Sequence, residues 1–167
     1  MGEGPAWERR LKRAPGESII SAISVGAVFI LIGLIFILAL PNSLWDSTIG
    51  FFTSLTGDVV PGIGIILPAP TNPGGHAVFY TAVFQFSLGL TFLQILVLFI
   101  RFGFVSRIHK LAETVGNLVF WIGASYLVYT YLNSLTTLKA WFAFWAGILI
   151  VLGLSIVARA AVQLAKR

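Results

Sequence analysis

Few side chains in this sequence can act as acids, bases, nucleophiles or metal ligands. The 167 residues include two histidines, six aspartates and glutamates, and no cysteine. Without thiols, the chain has no disulfide, thiolate zinc site, iron–sulfur cluster or redox dithiol. None of the titratable groups lies inside a long apolar run, so we expect no catalytic, metal or cofactor site. These groups are His76, His109, Glu3, Glu8, Glu17, Asp46, Asp58 and Glu113.

The positions of these groups also exclude several membrane functions. His76 and His109 cannot share a haem, because a continuous helix between them would be about 50 Å long. An ion-coupled transporter usually carries an ionisable residue within the membrane, and a hydrolase needs a base beside its nucleophile. The apolar runs contain neither arrangement, so we expect that the protein is not an enzyme.

The polar residues of the second apolar run lie on two faces. Each residue of a helix is rotated by about 100° from the one before it. At their spacing in the sequence, Gln85 and Gln94 therefore lie on opposite sides of the helix. Thr81 shares the face of Gln85, whereas Ser87 and Thr91 share the face of Gln94. An amide in lipid without a hydrogen-bond partner is unfavourable. Both faces should therefore contact protein or water, and one of them is predicted to contact a second subunit.

A candidate polar crevice combines the second and third runs. Tyr126 and Tyr129 lie at a depth in the membrane comparable to that of Thr81 and Gln85. Together these four residues are predicted to line a crevice near the outer surface. The alternative is that their hydroxyls and amides satisfy one another across packed helices.

Small residues and tryptophans indicate packing faces and membrane boundaries. Small side chains at helical spacing allow helices to approach closely in lipid. The candidate packing or assembly positions of this kind are Ser18, Ala22, Gly26 and Gly33 in the first run, and Ala143 and Gly147 in the fourth. Tryptophan favours the headgroup level. The candidate interfacial anchors are Trp45, Trp121, Trp141 and Trp145.

Four apolar runs must carry these residues. The chain is 57% hydrophobic and 10% charged, against about 25% charged in a typical soluble domain. Each run is long enough as a helix to cross a hydrocarbon core of about 30 Å. The sequence predicts an all-α integral membrane protein with a four-helix bundle over residues 18–159. Its predicted spans are 18–40, 77–100, 115–133 and 140–158.

The basic residues predict the orientation of the spans. With the N-terminus in the cytosol, ten of the 11 lysines and arginines fall on the cytoplasmic side and only Lys139 falls outside. Such a distribution fixes topology. Both termini are therefore predicted to be cytoplasmic, with basic segments at 1–17 and 160–167, in a multi-pass protein of the cell membrane. The net charge is +5. Because the predicted orientation accounts for the excess of basic residues, we expect no nucleic-acid partner.

The long outer loop, residues 41–75, exceeds the length at which connections usually remain without structure. Apolar residues at helical spacing predict a short helix in the membrane plane; they are Leu44, Trp45, Ile49, Phe52 and Leu55. The prolines that follow favour an extended path. The glycine pair Gly62 and Gly64 lacks the strand–turn–helix context of a phosphate loop. The loop is predicted to cover its own spans, to contact a partner, or to lie on the membrane surface.

These observations favour a function without catalysis. We expect a subunit or scaffold in the lipid bilayer that associates with itself or with another membrane protein. The alternative is a carrier or pore for a small neutral or lipidic solute, lined by the four residues of the predicted crevice.

Overall fold

A computed structural model describes residues 15–39, 41–103 and 108–165. Within them, helices and strands follow the alternation of apolar runs and proline-rich connections. In chain order the elements are α1 (Pro15–Leu38), α2 (Pro41–Thr53), β1 (Leu55–Val59), β2 (Ile66–Pro70), a 3-10 turn (Pro73–His76), α3 (Ala77–Gly103), α4 (Ile108–Tyr131) and α5 (Leu138–Leu164).

Four of these helices are long and apolar enough to cross a membrane, which confirms the prediction of four apolar helices. They comprise Ile19–Leu38, Pro73–Gly103, Ile108–Tyr131 and Leu138–Leu164. All four helices extend beyond the predicted spans at one or both ends, and the longest extensions are in α4 and α5. α4 begins before residue 115 and α5 continues beyond residue 158, because alanine, leucine, lysine, glutamate and glutamine in these flanking turns are good helix formers.

The four spans form an open row rather than the predicted bundle. α1 packs against α3, α3 against α4, and α4 against α5, and no other pair of spans in the described chain makes an extensive contact. Helices in lipid associate where small residues allow close approach, and glycines lie at two of these three interfaces, α1–α3 and α4–α5. A Cβ atom at Gly89 would collide with Leu31 of α1, and one at Gly123 would lie 2.5 Å from Val151 of α5. At Gly116, a Cβ atom would lie 3.0 Å from the Ser155 carbonyl oxygen.

The loop between α1 and α3 contains an antiparallel β-hairpin, which the all-α prediction did not include. Leu55 pairs with Pro70 and Val59 pairs with Ile66. Gly62 and Gly64 form the tip with φ angles of 86° and 76°, a region that glycine adopts without strain. The glycine pair is therefore a hairpin turn. The remainder of the loop contains the expected short helix, α2.

The main buried cluster lies at the end of the spans next to this loop, here called the loop end. Its members come from α2, β2, α3, α4, the α4–α5 connection and α5: Phe51, Ala69, Tyr80, Leu127, Val128, Leu132, Trp141 and Phe144. The indole Nε1 of Trp141 donates a hydrogen bond of 3.2 Å to the Pro68 carbonyl, which ties the hairpin to α5. Part of the loop thus covers its own spans, while Ile63, Ile65 and Ile66 near the hairpin tip are exposed.

The turn before α3 also contacts the connection between α4 and α5. A Cβ atom at Gly74 would lie only 2.6 Å from the backbone oxygen of Ser134. Only a residue without a side chain allows these two backbone segments to lie so close together. The contact fixes the start of α3 against the α4–α5 connection.

Several of the basic residues on which the orientation depends lie outside the described residues. They are Arg9, Arg10, Lys12, Arg13, Arg107, Lys166 and Arg167. The predicted tail 160–167 is helical as far as Leu164.

Candidate functional site

An apolar cavity of about 380 Å³ lies at the loop end. Its wall combines α2, the hairpin, α3, the α4–α5 connection and α5, because the loop folds back onto the spans there. The lining residues are Phe51, Phe52, Leu55, Pro68, Phe79, Tyr80, Val83, Leu132, Trp141, Phe144 and Trp145. Ligand pockets in proteins measure roughly 300–1,000 Å³ and are mostly apolar with few polar groups. We call this space the aromatic cavity.

The aromatic rings of the cavity wall pack against one another. Phe51 stacks on Phe79 with their centroids 4.5 Å apart, and Trp141 and Trp145 meet edge to face at 5.8 Å. Aromatic rings favour these offset and edge-to-face geometries. The wall is therefore held by contacts between side chains of the loop and of the spans.

Tyr80 supplies the one hydroxyl in the cavity lining. Its side chain is 1% exposed, and its hydroxyl has no hydrogen-bond partner among the described residues. Buried polar groups are nearly always hydrogen-bonded in proteins. This hydroxyl is thus an unsatisfied donor that the protein encloses beside an apolar space.

The cavity opens to the surface at two aromatic side chains. Phe52 of α2 is 60% exposed and Trp145 of α5 is 49% exposed, yet both line the cavity. Trp145 belongs to an apolar helix long enough to span a membrane, so the mouth opens beside one of the four candidate membrane spans.

The predicted polar crevice forms only in part. Thr81 and Tyr129 line a cleft of about 350 Å³ together with Asn133. Gln85 and Tyr126 do not line it and are exposed. No loop residue of α2 or the hairpin lines this cleft, so the loop covers the aromatic cavity instead. Tyr80 borders both spaces.

The two predicted polar faces of α3 have different surroundings. Ser87 and Thr91 are buried, and the Thr91 hydroxyl lies 3.3 Å from the Ser125 hydroxyl of α4. Gln94 is partly buried on the same side of α3. Gln85, by contrast, is exposed and forms no hydrogen bond with the described residues. The structure thus supplies protein partners for one polar face of α3 and leaves the other open.

The predicted packing positions are divided in the same way. In α5, a Cβ atom at Gly147 would lie 2.8 Å from Leu127 of α4, and Ala143 is partly buried. In α1, Gly26 and Gly33 have no atom of the described chain within 4 Å of a Cβ position. The other two predicted positions of α1 are Ser18, which lies in its first turn, and Ala22, which is exposed.

The tryptophans occupy unlike environments. Trp141 is only 4% exposed and belongs to the buried cluster, which differs from the interfacial anchor predicted for it. Its indole is drawn inward because the Pro68 carbonyl accepts its hydrogen bond. Trp121 lies near the middle of α4 with its ring against Phe86 of α3. Trp45 is exposed on α2.

The ionisable residues are dispersed. His76 lies at the loop end, with Nε2 3.0 Å from the Ser54 hydroxyl, whereas His109 near the start of α4 lies 3.2 Å from the Gln163 amide. The Lys110 ammonium lies 3.2 Å from the Glu113 carboxylate. In the part of the chain that the structure describes, no group of three His, Asp or Glu side chains is placed to hold a metal ion.

The sequence predicted neither the aromatic cavity nor the burial of Tyr80 beside it. The lining residues are spread from Phe51 to Trp145, and their aromatic character resembles that of any apolar span. Gly116 and Gly123 of α4, which pack against α5, were also not singled out, although their spacing of two helical turns is typical of a packing face.

Comparison of the chain with protein-family models, with curated proteins and with solved structures gives no match.

Proposed function

We propose that this chain is a non-catalytic subunit or scaffold of the cell membrane that associates with a second copy of itself or with another membrane protein. The exposed face of α3 around Gln85 is the proposed interface. The observation that carries the proposal is the Gln85 amide, which is exposed on a membrane-spanning helix without a hydrogen bond to the described residues.

The position of Gln85 along α3 explains why it needs a partner. It lies eight residues after Ala77, the first residue of α3, which corresponds to about 12 Å along the helix. On the same face, the exposed residues Leu88 and Phe92 are apolar. The hydroxyl of Thr81, also exposed on this face, donates its hydrogen bond to the Ala77 carbonyl within α3. A side-chain amide surrounded by hydrocarbon lacks the hydrogen bonds that it makes in water. A polar group on a neighbouring chain would supply them.

The open row of spans supports the same proposal. α1 and α5 each pack against a single neighbouring span, so a large part of each helix surface is available to lipid or to another chain. Gly26 and Gly33 expose a small-residue surface on α1, which allows close approach of a second helix.

The proposed orientation places both termini in the cytosol. It rests on the distribution of lysines and arginines, and the α4–α5 connection that carries Lys139 would lie outside. In this orientation the loop end, with the hairpin and the aromatic cavity, faces the exterior.

The proposed interface can be tested with two glutamine variants. We expect the purified wild-type protein in nanodiscs or mild detergent to be a dimer or larger assembly by light scattering, and Gln85→Leu to shift it at least tenfold towards monomer. Gln94→Leu makes the same chemical change on the opposite face and should leave the assembly intact. A wild-type protein that stays monomeric and forms no cross-linked adduct in its membrane, or equal effects of the two variants, would contradict the proposal.

A further inference from the structure

Four charged side chains gather at the end of the spans opposite the loop end. Arg101 lies in the last turn of α3 and Arg159 lies in the last two turns of α5. Lys110 and Glu113 lie in the first two turns of α4. We call these four residues the basic cluster. Three basic side chains and one acidic side chain give the cluster a net charge of +2.

Contacts between three helices assemble the basic cluster. The Arg101 guanidinium donates a hydrogen bond to the Lys110 backbone carbonyl, which joins α3 to α4. The Lys110 ammonium lies 3.2 Å from the Glu113 carboxylate. A Cβ atom at Gly116, about one turn after Glu113, would lie 3.3 Å from the Cβ atom of Arg159 in α5. The charges of all three basic residues therefore act on the one carboxylate.

The single carboxylate leaves most of this positive charge without a partner. Among the residues that the structure describes, the cluster contains one ion pair, Lys110 with Glu113, and neither arginine has a carboxylate partner. All four residues are partly exposed, so an anion from outside the protein can reach them. The planar guanidinium groups of Arg101 and Arg159 carry N–H donors in an arrangement that fits phosphate oxygens.

The basic cluster lies where a membrane-spanning helix leaves the hydrocarbon. Residues 77–100 of α3 and 140–158 of α5 include no acidic or basic side chain, and an arginine follows each stretch directly. Charged side chains are unfavourable within hydrocarbon and lie at its boundary. Phe99 and Ile156, close before the two arginines, are exposed and apolar, so they offer a surface to acyl chains beside the charges.

The orientation of the spans does not by itself explain this arrangement. Topology depends on how many lysines and arginines lie on one side of the membrane, and dispersed residues would serve it equally well. Here three helices each bring a basic residue to one place. Basic pockets between spans bind the headgroups of anionic lipids.

We infer that the basic cluster binds the phosphate of an anionic phospholipid between the ends of α3 and α5 and the start of α4. The inference does not depend on the assembly proposed for α3, because Gln85 lies about 24 Å along that helix from Arg101. Nor does it depend on which side of the membrane the cluster faces.

Native mass spectrometry of the full chain in a mild uncharged detergent tests this inference. The probes are phosphatidylglycerol and phosphatidylcholine with the same acyl chains. Both contain the phosphate, but the choline ammonium cancels its charge in the second lipid. We expect the first bound phosphatidylglycerol to have an affinity at least about fivefold higher than the first bound phosphatidylcholine.

Three glutamine variants separate the cluster from charge in general. Arg159→Gln removes one positive charge and should weaken phosphatidylglycerol binding about fivefold, with phosphatidylcholine binding unchanged. Lys139→Gln is the matched control, because it makes the same charge change at the loop end and should leave binding of both lipids unchanged. Glu113→Gln removes the competing carboxylate and should strengthen phosphatidylglycerol binding.

Thermal unfolding identifies the variants that keep the wild-type fold. Arg159→Gln should be among them, because the Arg159 side chain is partly exposed and makes no hydrogen bond with the described residues. Arg101→Gln is a second cluster variant and should also weaken phosphatidylglycerol binding. Its hydrogen bond to the Lys110 carbonyl is lost as well, so its stability is compared with that of Arg159→Gln.

Three results would overturn the inference. The first is equal affinity for the two lipids, and the second is an equal loss of affinity in Arg159→Gln and Lys139→Gln. The third is displacement of phosphatidylglycerol by inorganic phosphate beyond that caused by chloride at the same ionic strength, which would assign the cluster to a soluble anion. Light scattering of Arg159→Gln should show the wild-type assembly, so failure here is distinguishable from failure of the proposed interface.

Discussion

Individual polar groups at the loop end differ in whether they are satisfied. The Thr136 hydroxyl is buried, accepts a hydrogen bond from the Asn133 N–H at 2.7 Å and donates to the Tyr131 carbonyl at 2.8 Å. Trp141 donates to the Pro68 carbonyl. Only Tyr80 has a buried side-chain polar atom without a partner among the described residues. The first two groups stabilise the structure, whereas the third is buried without a hydrogen bond to the described residues.

Trp141 is the residue at which the loop and the spans are joined by a hydrogen bond. We expect Trp141→Phe to lower the free energy of unfolding by about 1–3 kcal/mol, because it removes a buried donor and leaves the Pro68 carbonyl unpaired. The same variant should increase the rate at which a protease cleaves the hairpin. Limited proteolysis and thermal unfolding of the purified protein measure the two effects.

Trp145→Phe is the matched control for this prediction. Trp145 loses the same group on substitution, but its side chain is half-exposed, and its indole makes no hydrogen bond with the described residues. Its substitution should change hairpin cleavage by less than twofold. Equal effects of the two variants would show that ring volume, and not the bond to Pro68, holds the hairpin.

At the scale of elements, periodicity and hydropathy predicted the helices but not the hairpin. The apolar runs and the helical spacing in residues 44–55 are strong signals, and the four spans and α2 follow from them. β2 contains Pro68 and Pro70, and proline is normally depleted in strands because it lacks a backbone donor. The hairpin forms nevertheless, since it has only two strands and both are edges.

The candidate site was less predictable than the elements. Thr81 and Tyr129, which depth along the helices predicted to lie together, line one cleft. Depth could not place Gln85 and Tyr126, whose direction depends on how α3 and α4 rotate against their neighbours. The rotation is set by contacts such as the one between Thr91 and Ser125. The aromatic cavity depends on the loop folding back onto the spans, which no local pattern specifies.

The packing of α1 against α3 depends on Gly89. A larger side chain at this position would displace Leu31, and overpacking of this kind typically lowers stability by about 1–3 kcal/mol. We expect Gly89→Ile to have this effect in a titration with a denaturing detergent followed by circular dichroism. Gly33→Ile, at an open position of α1, should leave the monomer as stable as the wild type; equal losses would contradict this packing.

At the scale of the whole molecule, the proposed orientation predicts that the α4–α5 connection, and not the C-terminal end of α5, is accessible in intact cells. The absence of cysteine makes single-cysteine variants specific. A membrane-impermeant maleimide should label Leu135→Cys in intact cells, but Leu164→Cys only after the membrane is permeabilised. Both positions are exposed in the structure, so accessibility depends on the side of the membrane. The reverse pattern would contradict the orientation.

The open row has a consequence for biogenesis. Because each span in the described chain packs extensively only against the spans next to it in sequence, a helix leaving the insertion machinery meets the preceding span already in the bilayer. The hairpin is the exception, since its tie to Trp141 joins it to the last helix to be synthesised. We therefore expect the pocket beneath it to close only after translation of α5, as the final step of maturation.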